Sequence, residues 1–227
     1  MPTPTEFPLN WTPVPPPAPI TLRGRTITLV PLDAALHSNA IWNAVRGHDE
    51  VWTWLADGPY AEESALRAAL ERKQAGTDAL FLALVPKATG QAAGYASYMR
   101  MDPANGVVEV GNILLSPALQ RTTAATEAHY LMARHIFDDL GYRRYEWKCN
   151  VENHPSRKAA LRLGFTFEGI FRQHMIVKGR NRDTAWFSML NTEWPARRAA
   201  FEAWLAAENF DPEGRQRNPL EPTGGAA

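Results

Sequence analysis

The sequence predicts a mixed α/β (α+β) domain, with a mostly antiparallel sheet of six to seven strands flanked by helices. Three observations predict it. Hydrophobic periods of two and of about four residues alternate along the chain. Three strand-like runs in the middle follow one another with only short turns, which makes an antiparallel meander and excludes a Rossmann order. A long amphipathic segment then separates that meander from the next strand-like run.

The elements follow in order. Residues 1–20 carry prolines at 2, 4, 8, 13, 15, 16, 17 and 19, so they form an extended arm that Phe7, Leu9 and Trp11 tie to the domain surface. "TITLVPL" is a strand, "LDAALHSNAIWNAVR" a helix, and "DEVWTWLADGPY" a short aromatic segment ending in a turn. "AEESALRAALERKQAG" is a helix stopped by Gly76. The strands "ALFLALVP", "AAGYASYMRM" and "VVEVGNILLS" are joined by the turns "KATGQ" and "DPANG". Ala128, Leu131, Met132, Ile136 and Leu140 then make one apolar helix face, which Gly141 ends. "RRYEWKCNV" is a strand, "HPSRKAALRL" a short helix closed by Gly164, and "FTFEGIFRQHMIV" and "TAWFSML" are strands around the turn "KGRNRD". An amphipathic helix from Pro195 to Glu208 buries Phe201, Trp204 and Leu205, and a Pro- and Gly-rich mobile tail follows from 211 to 227. The domain proper spans 21–192, and the C-terminal helix belongs to a segment at 193–210.

Composition narrows the function. A length of 227 residues, 45% hydrophobic and 21% charged, describes one generous domain with a proper core. The formal net charge is zero, which argues against a wide nucleic-acid grip, so "RQRNP" and "KGRNRD" read as tail and turn. The single Cys149 excludes an internal disulfide and a cysteine-rich metal site, and no metal is expected. No apolar run nears the ~20 residues of a membrane span, and the N-terminus lacks signal-peptide order. A cytoplasmic protein that binds no membrane, monomeric or homodimeric, is expected.

The chemistry gathers in two stretches. "QRTTAATEA", from Gln120, leads from a strand into the long helix, where free backbone N–H groups and the helix dipole suit a phosphate. "NHPS" from Asn153, with "LGF" from Leu163, follows the next strand. Together, across a strand–helix–strand unit, these motifs resemble the GNAT superfamily of acetyl-CoA-dependent N-acetyltransferases, nearest its RimJ/RimL-type branch, over about Thr21 to Thr192.

The resemblance implies the GNAT acyl-CoA N-acyltransferase fold, acetyl-CoA as donor and a primary amine as acceptor, either a protein N-terminus or a small molecule. It places Leu114, Leu115, Gln120, Arg121, Thr122, Thr123, Ala124, Ala125 and Thr126 on the cofactor, with Asn153, Ser156 and Arg157 from the second motif. Thr123 stands where the family usually has glycine, which crowds the backbone and forbids an easy positive φ. The Thr122 and Thr123 hydroxyls and the Arg121 charge offset that, while Glu127 opposes it if it faces the phosphates. A plain alternative is that a threonine only caps the helix. Asn153 either pairs with the pantetheine amides, caps its helix, or does both. Ser156 matches a serine near the cofactor sulfur, or is a first-turn residue facing solvent; Ala160 stands where many members carry an acid tyrosine.

A neutral amine must attack the thioester. An α-amine with a pKa near 7.8 is about 10–15% neutral at pH 7, and a lysine below about 0.1%. Glu109, inside an apolar strand, and His174, beside Met175 on a late strand, are the candidate bases; partnered polar group and surface histidine are their plain readings. Trp52, Trp54 and Tyr60, with Glu62 and Glu63 after them, suit a cationic amine, or simple packing. The rival from another class is a non-catalytic acyl-CoA-binding or regulatory module.

Overall fold

A computed structural model describes residues 10–221. Eight strands form one sheet in the order β1-β2-β3-β4-β5-β6-β8-β7. They are β1 (Leu22–Arg23), β2 (Ile27–Pro31), β3 (Ala79–Pro86), β4 (Gly94–Asp102), β5 (Val107–Leu115), β6 (Arg144–Asn150), β7 (Thr166–Val177) and β8 (Arg180–Leu190). The helices are α1 (Ala34–Val45), α2 (Glu63–Ala75), α3 (Thr123–Arg134), α4 (His154–Arg162) and α5 (Trp194–Leu205). All neighbouring strands run antiparallel except β5 and β6, which are parallel.

Strand alternation sorts the core into two layers. On one face Leu82, Leu84, Ala96, Tyr98, Val108 and Val110 pack under α3 and α5. On the other, Phe81, Ala83 and Tyr95 meet α1 and α2 through Ile41, Leu66 and Leu70. The expected apolar face of the long helix is present, with Ala128, Leu131, Met132 and Ile136 buried. Its last turn, His135–Asp139, widens to π geometry before Gly141 stops it at φ 75°.

The structure departs from the sequence reading in three places. The eighth strand is β1, whose two residues are too few to show a period. The turn read over 178–183 shrinks to Lys178 and Gly179, both at positive φ, so β8 begins at Arg180. Where a mobile tail is predicted from 211, residues 211–221 fold back instead. Asn209 Nδ2 donates to Trp204 O and Asn218 O, Trp204 Nε1 donates to Gln216 Oε1, and Leu220 is buried. The arm is held as anticipated at Trp11, whose Nε1 donates to Ala104 O at 2.8 Å. Phe7, Leu9 and residues 222–227 lie outside the described residues.

Candidate active site

The site begins where the sheet forks. β5 and β6 pair only from Val107↔Arg144 to Val110↔Trp147. Beyond that point β5 stays with β4 as far as Leu115, and β6 stays with β8 as far as Asn150. Asn112, at φ 49°, bends β5 away. Because these two strands are parallel, the helices that follow them, α3 and α4, both present their N-termini at the open end. Ligands of open α/β sheets sit at such a parting.

At the start of α3 the Thr122 Oγ1 accepts from Ala125 N at 3.1 Å and donates to Leu119 O at 2.7 Å. Its hydroxyl is therefore spent on the cap, as the plain reading holds, and only Thr123 keeps a hydroxyl for a ligand. Among the described residues nothing accepts from the N–H of Thr123 or Ala124. The positive φ belongs to Arg121, at 60°, and Thr123 is already helical. The expected backbone conflict at Thr123 is thus absent. Glu127 faces away from the fork: it accepts from the N–H groups of Arg25 and Thr26, at 2.6 Å each. Gln120 Nε2 donates to Leu115 O.

A cleft of about 610 Å³ opens here, lined among others by Leu115, Arg121, Thr123, Thr126, Lys158 and Arg162. Its lining includes no acid and four cations, the fourth being Arg215, which Asp211 and Glu213 neutralise. Arg162 donates to Thr126 Oγ1 at 3.2 Å and lies over the Trp204 ring. The sequence reading missed Lys158 and Arg162, although their i, i+4 spacing on α4 puts both on one helix face. His129, which its place on the long helix marks as structural, stands in the cleft wall; burial pushes its pKa down to about 4, with Arg162 acting the same way. Leu114 does not line the cleft, because its side chain is buried in the α1/α2 layer. Ala124 packs against the core, and Arg157 Nη1 donates to Val151 O.

At α4 Asn153 is the cap, its Oδ1 accepting from Ser156 N at 3.1 Å. Ser156 does not simply face solvent: its Oγ accepts from Trp147 Nε1 at 3.0 Å. The indole can only donate, so the serine proton is left for another acceptor. Cys149 is beside it, and burial pushes the thiol up. Ala160 is fully buried in the core.

Across the sheet from α3, β5, β6 and β8 carry charge rather than an apolar layer. Glu109 is 5% exposed and pairs with Lys148 at 3.0 Å and with Arg100 at 3.1 Å. Lys148 pairs also with Glu146 at 2.7 Å and lies over the Trp186 ring. Arg144 links Glu146 to Glu168. Glu109 is thus a partnered group between two cations. His174 is not a free surface histidine: its ring bonds to Thr184 Oγ1 at 2.9 Å and meets Phe171 and Trp186. Burial, then the charges of Arg100, Arg182 and Lys148, hold its pKa below the ordinary value, so the imidazole is neutral at pH 7.

Of the aromatic trio, Trp52 is core, 2% exposed and edge-on to Tyr60. Tyr60 donates to Asp57 Oδ2, which Lys73 pairs at 2.8 Å; burial and that bond raise the phenol pKa. Only Trp54, 38% exposed, is open. Lys178 at the β7–β8 turn donates to Trp52 O, so this hairpin meets the early loop over the charged face.

The fold and the cleft together define an α/β protein that offers two helix N-termini and a basic cleft to an anionic ligand beside a forked sheet. A family model for the acetyltransferase (GNAT) domain matches residues 26–166, and the chain belongs to that family. A GCN5-related N-acetyltransferase from Brucella melitensis superposes with a TM-score of 0.91 at 51% identity, covering 93% of this chain and 96% of that one. An uncharacterized N-acetyltransferase p20 of Bacillus licheniformis is 32% identical over 111 residues, which is 49% of this chain and 62% of the relative. The ribosomal-protein-serine acetyltransferase of Escherichia coli is 32% identical over 80 residues, 35% of this chain and 44% of the relative. The chain therefore matches less than two thirds of the length of these curated relatives. Among the described residues no helix is long and apolar enough to cross a membrane.

Proposed function

We propose that the protein transfers the acetyl group of acetyl-CoA directly to a primary amine, either a protein N-terminus or a small molecule. One observation carries this reading: the α3 and α4 N-termini flank the fork of β5 and β6, with Arg121, Lys158 and Arg162 in the adjoining cleft. The fit to a nucleotide-linked thioester is chemical. Unpaired N–H groups at Thr123 and Ala124 and a cation set without a lining acid suit a pyrophosphate. When bound, acetyl-CoA supplies an activated acetyl thioester.

The residues of the chain do the rest. Arg121, Thr123, Lys158 and Arg162 hold the anionic end, and the Asn153 amide faces the fork with its Nδ2 unused by the cap. Ser156, fixed by Trp147, offers its proton to the departing sulfur. His174, neutral and facing the charged side, takes the amine proton, directly or through water. Trp54 borders the acceptor entrance. We assign the transferase domain to 21–192, with the arm and the C-terminal segment as attachments. The relative named as a ribosomal-protein-serine acetyltransferase favours an α-amine acceptor, which needs less help from a base than lysine does.

The test is thiol release from acetyl-CoA across a panel of amines, with mass detection of the acetylated product, beside thermal shifts with CoA and acetyl-CoA. A ligand that binds only the native state raises apparent stability. No shift at millimolar acetyl-CoA would refute cofactor binding. A shift without turnover of any amine would favour the binding-module reading.

A further inference from the structure

Among the described residues the charged face holds one cation that its network does not use. Arg100 and Lys148 pair with Glu109, Lys148 with Glu146, and Arg144 with Glu146 and Glu168. Arg182, on β8 two residues before Thr184, is half-buried, and among the described residues its side chain makes no ion pair or hydrogen bond. Its Nε is out of contact with water and has no partner. It pairs with Met175 of β7, and Thr184 pairs with Asn150 at the end of β6. Arg182 therefore sits at the open end of the fork, with the charges of Glu109 and Arg100 and the ring of His174 near it. A guanidinium partly withdrawn from water without a counter-ion is costly, and its planar fork matches a carboxylate.

We propose that Arg182 receives a carboxylate carried by the acceptor, so that the preferred amines are anionic ones. This deepens the acetyl-transfer reading and rests on it for the direction from which the acceptor arrives. Arg100 and Lys148 reinforce the site, because three cations against the two acids Glu109 and Glu146 leave a positive surplus around His174. The surplus also favours the neutral form of an incoming amine over its ammonium, which is the form that attacks. The carboxylate has two sources, a free amino-acid carboxyl next to the amine or an acidic side chain just behind a protein N-terminus. Both present the same group to Arg182.

The experiment measures binding to CoA-loaded protein by calorimetry, using two matched pairs. One is alanine against alaninamide. The other is an amidated tripeptide with aspartate against the same peptide with asparagine at its second position. At least one acidic member is expected to bind about tenfold or more tightly than its neutral partner, as a desolvated charge pair does. Arg182→Gln should abolish that preference, leave the neutral members within about twofold, and raise KM rather than lower kcat. Arg182→Lys, which keeps the charge, should retain part of the preference and guards against a folding defect in the glutamine variant. CoA affinity should be the same in all three proteins. Absence of preference in the wild type for both pairs overturns the proposal. So does an equal fall of kcat for acidic and neutral acceptors in Arg182→Gln, which would place the guanidinium on the thioester. Acid preference without any thiol release would refute acetyl transfer and leave the carboxylate site standing; thiol release without preference does the reverse.

Discussion

Glu109→Gln separates the two readings of this carboxylate most sharply. The side chain is 5% exposed and its partners are Lys148, 4% exposed, and Arg100, 40% exposed. Removing one member of a buried pair costs about 3–5 kcal/mol, because the other charge is left uncompensated. Here Lys148 keeps Glu146 at 2.7 Å, Arg100 can turn to water, and the amide oxygen still accepts a bond. The lower end, about 3 kcal/mol, is therefore expected. For a chain of this size that loss moves Tm down by about 6–12 °C. Thermal denaturation reads the shift, and kcat/KM at pH 7 and pH 9 reads the chemistry. A partnered Glu109 predicts the Tm drop together with activity losses of similar size at both pH values. An unchanged Tm with a steep loss at pH 7 that disappears at pH 9, where the amine deprotonates itself, would make Glu109 the base and refute the ion-pair account.

Three further outcomes are expected. Ser156→Ala should lower kcat by about 10–100-fold with acetyl-CoA affinity little changed, and Trp147→Phe, which keeps the ring but not its donor, should move kcat in the same direction; intact kcat between pH 6 and 9 in both variants would leave the serine a plain helix residue. Arg162→Ala should weaken acetyl-CoA binding by roughly tenfold at low salt and less at high salt, because screening weakens a charge at an open cleft; a salt-independent loss would mean that Arg162 acts by packing on Trp204. His129, His37 and His174 all have folded pKa values below the ordinary one, so the unfolded chain takes up their protons first and stability falls as pH drops below about 6.5. His129 is set furthest down, to about 4, and accounts for at most about 3 kcal/mol of that loss. His129→Gln should flatten the fall of Tm between pH 6.5 and 4.5; an unchanged slope would show that the ring is protonated without cost.

The elements that were legible are those whose period is internal to them. The β3–β4–β5 meander shows its pleat residue by residue, as Phe81 and Ala83 face one layer and Leu82 and Leu84 the other. The α3 face repeats every turn in the same way. What escaped has no such repeat. β1 exists because β2 pairs with it at Leu22↔Leu29 and Arg23↔Thr28, and two residues carry no period of their own. The segment 211–221 is polar enough to read as tail, yet Asn209 and Leu220 anchor it through contacts that only the fold creates.

The same division runs through the candidate site. Helix starts that follow strand ends are sequence-local, so both caps, at Thr122 and Asn153, were legible and both are formed. Residue type did not reveal backbone state, however. The left-handed residue of this turn is Arg121, two places before Thr123, so the helix start reaches its geometry without glycine. A glycine is needed only where φ must be positive or the backbone must approach closely, and Thr123 meets neither condition within the protein itself. At Glu109 the sequence showed a charge inside an apolar run but not its partners, because Arg100 and Lys148 are 9 and 39 positions away on other strands. Cross-strand partners decide what a buried charge can do, and strand register is the quantity a lone sequence does not carry. Arg182 is the converse case, a cation that the same register leaves without an ion pair among the described residues. That is why the acceptor's charge is best sought there.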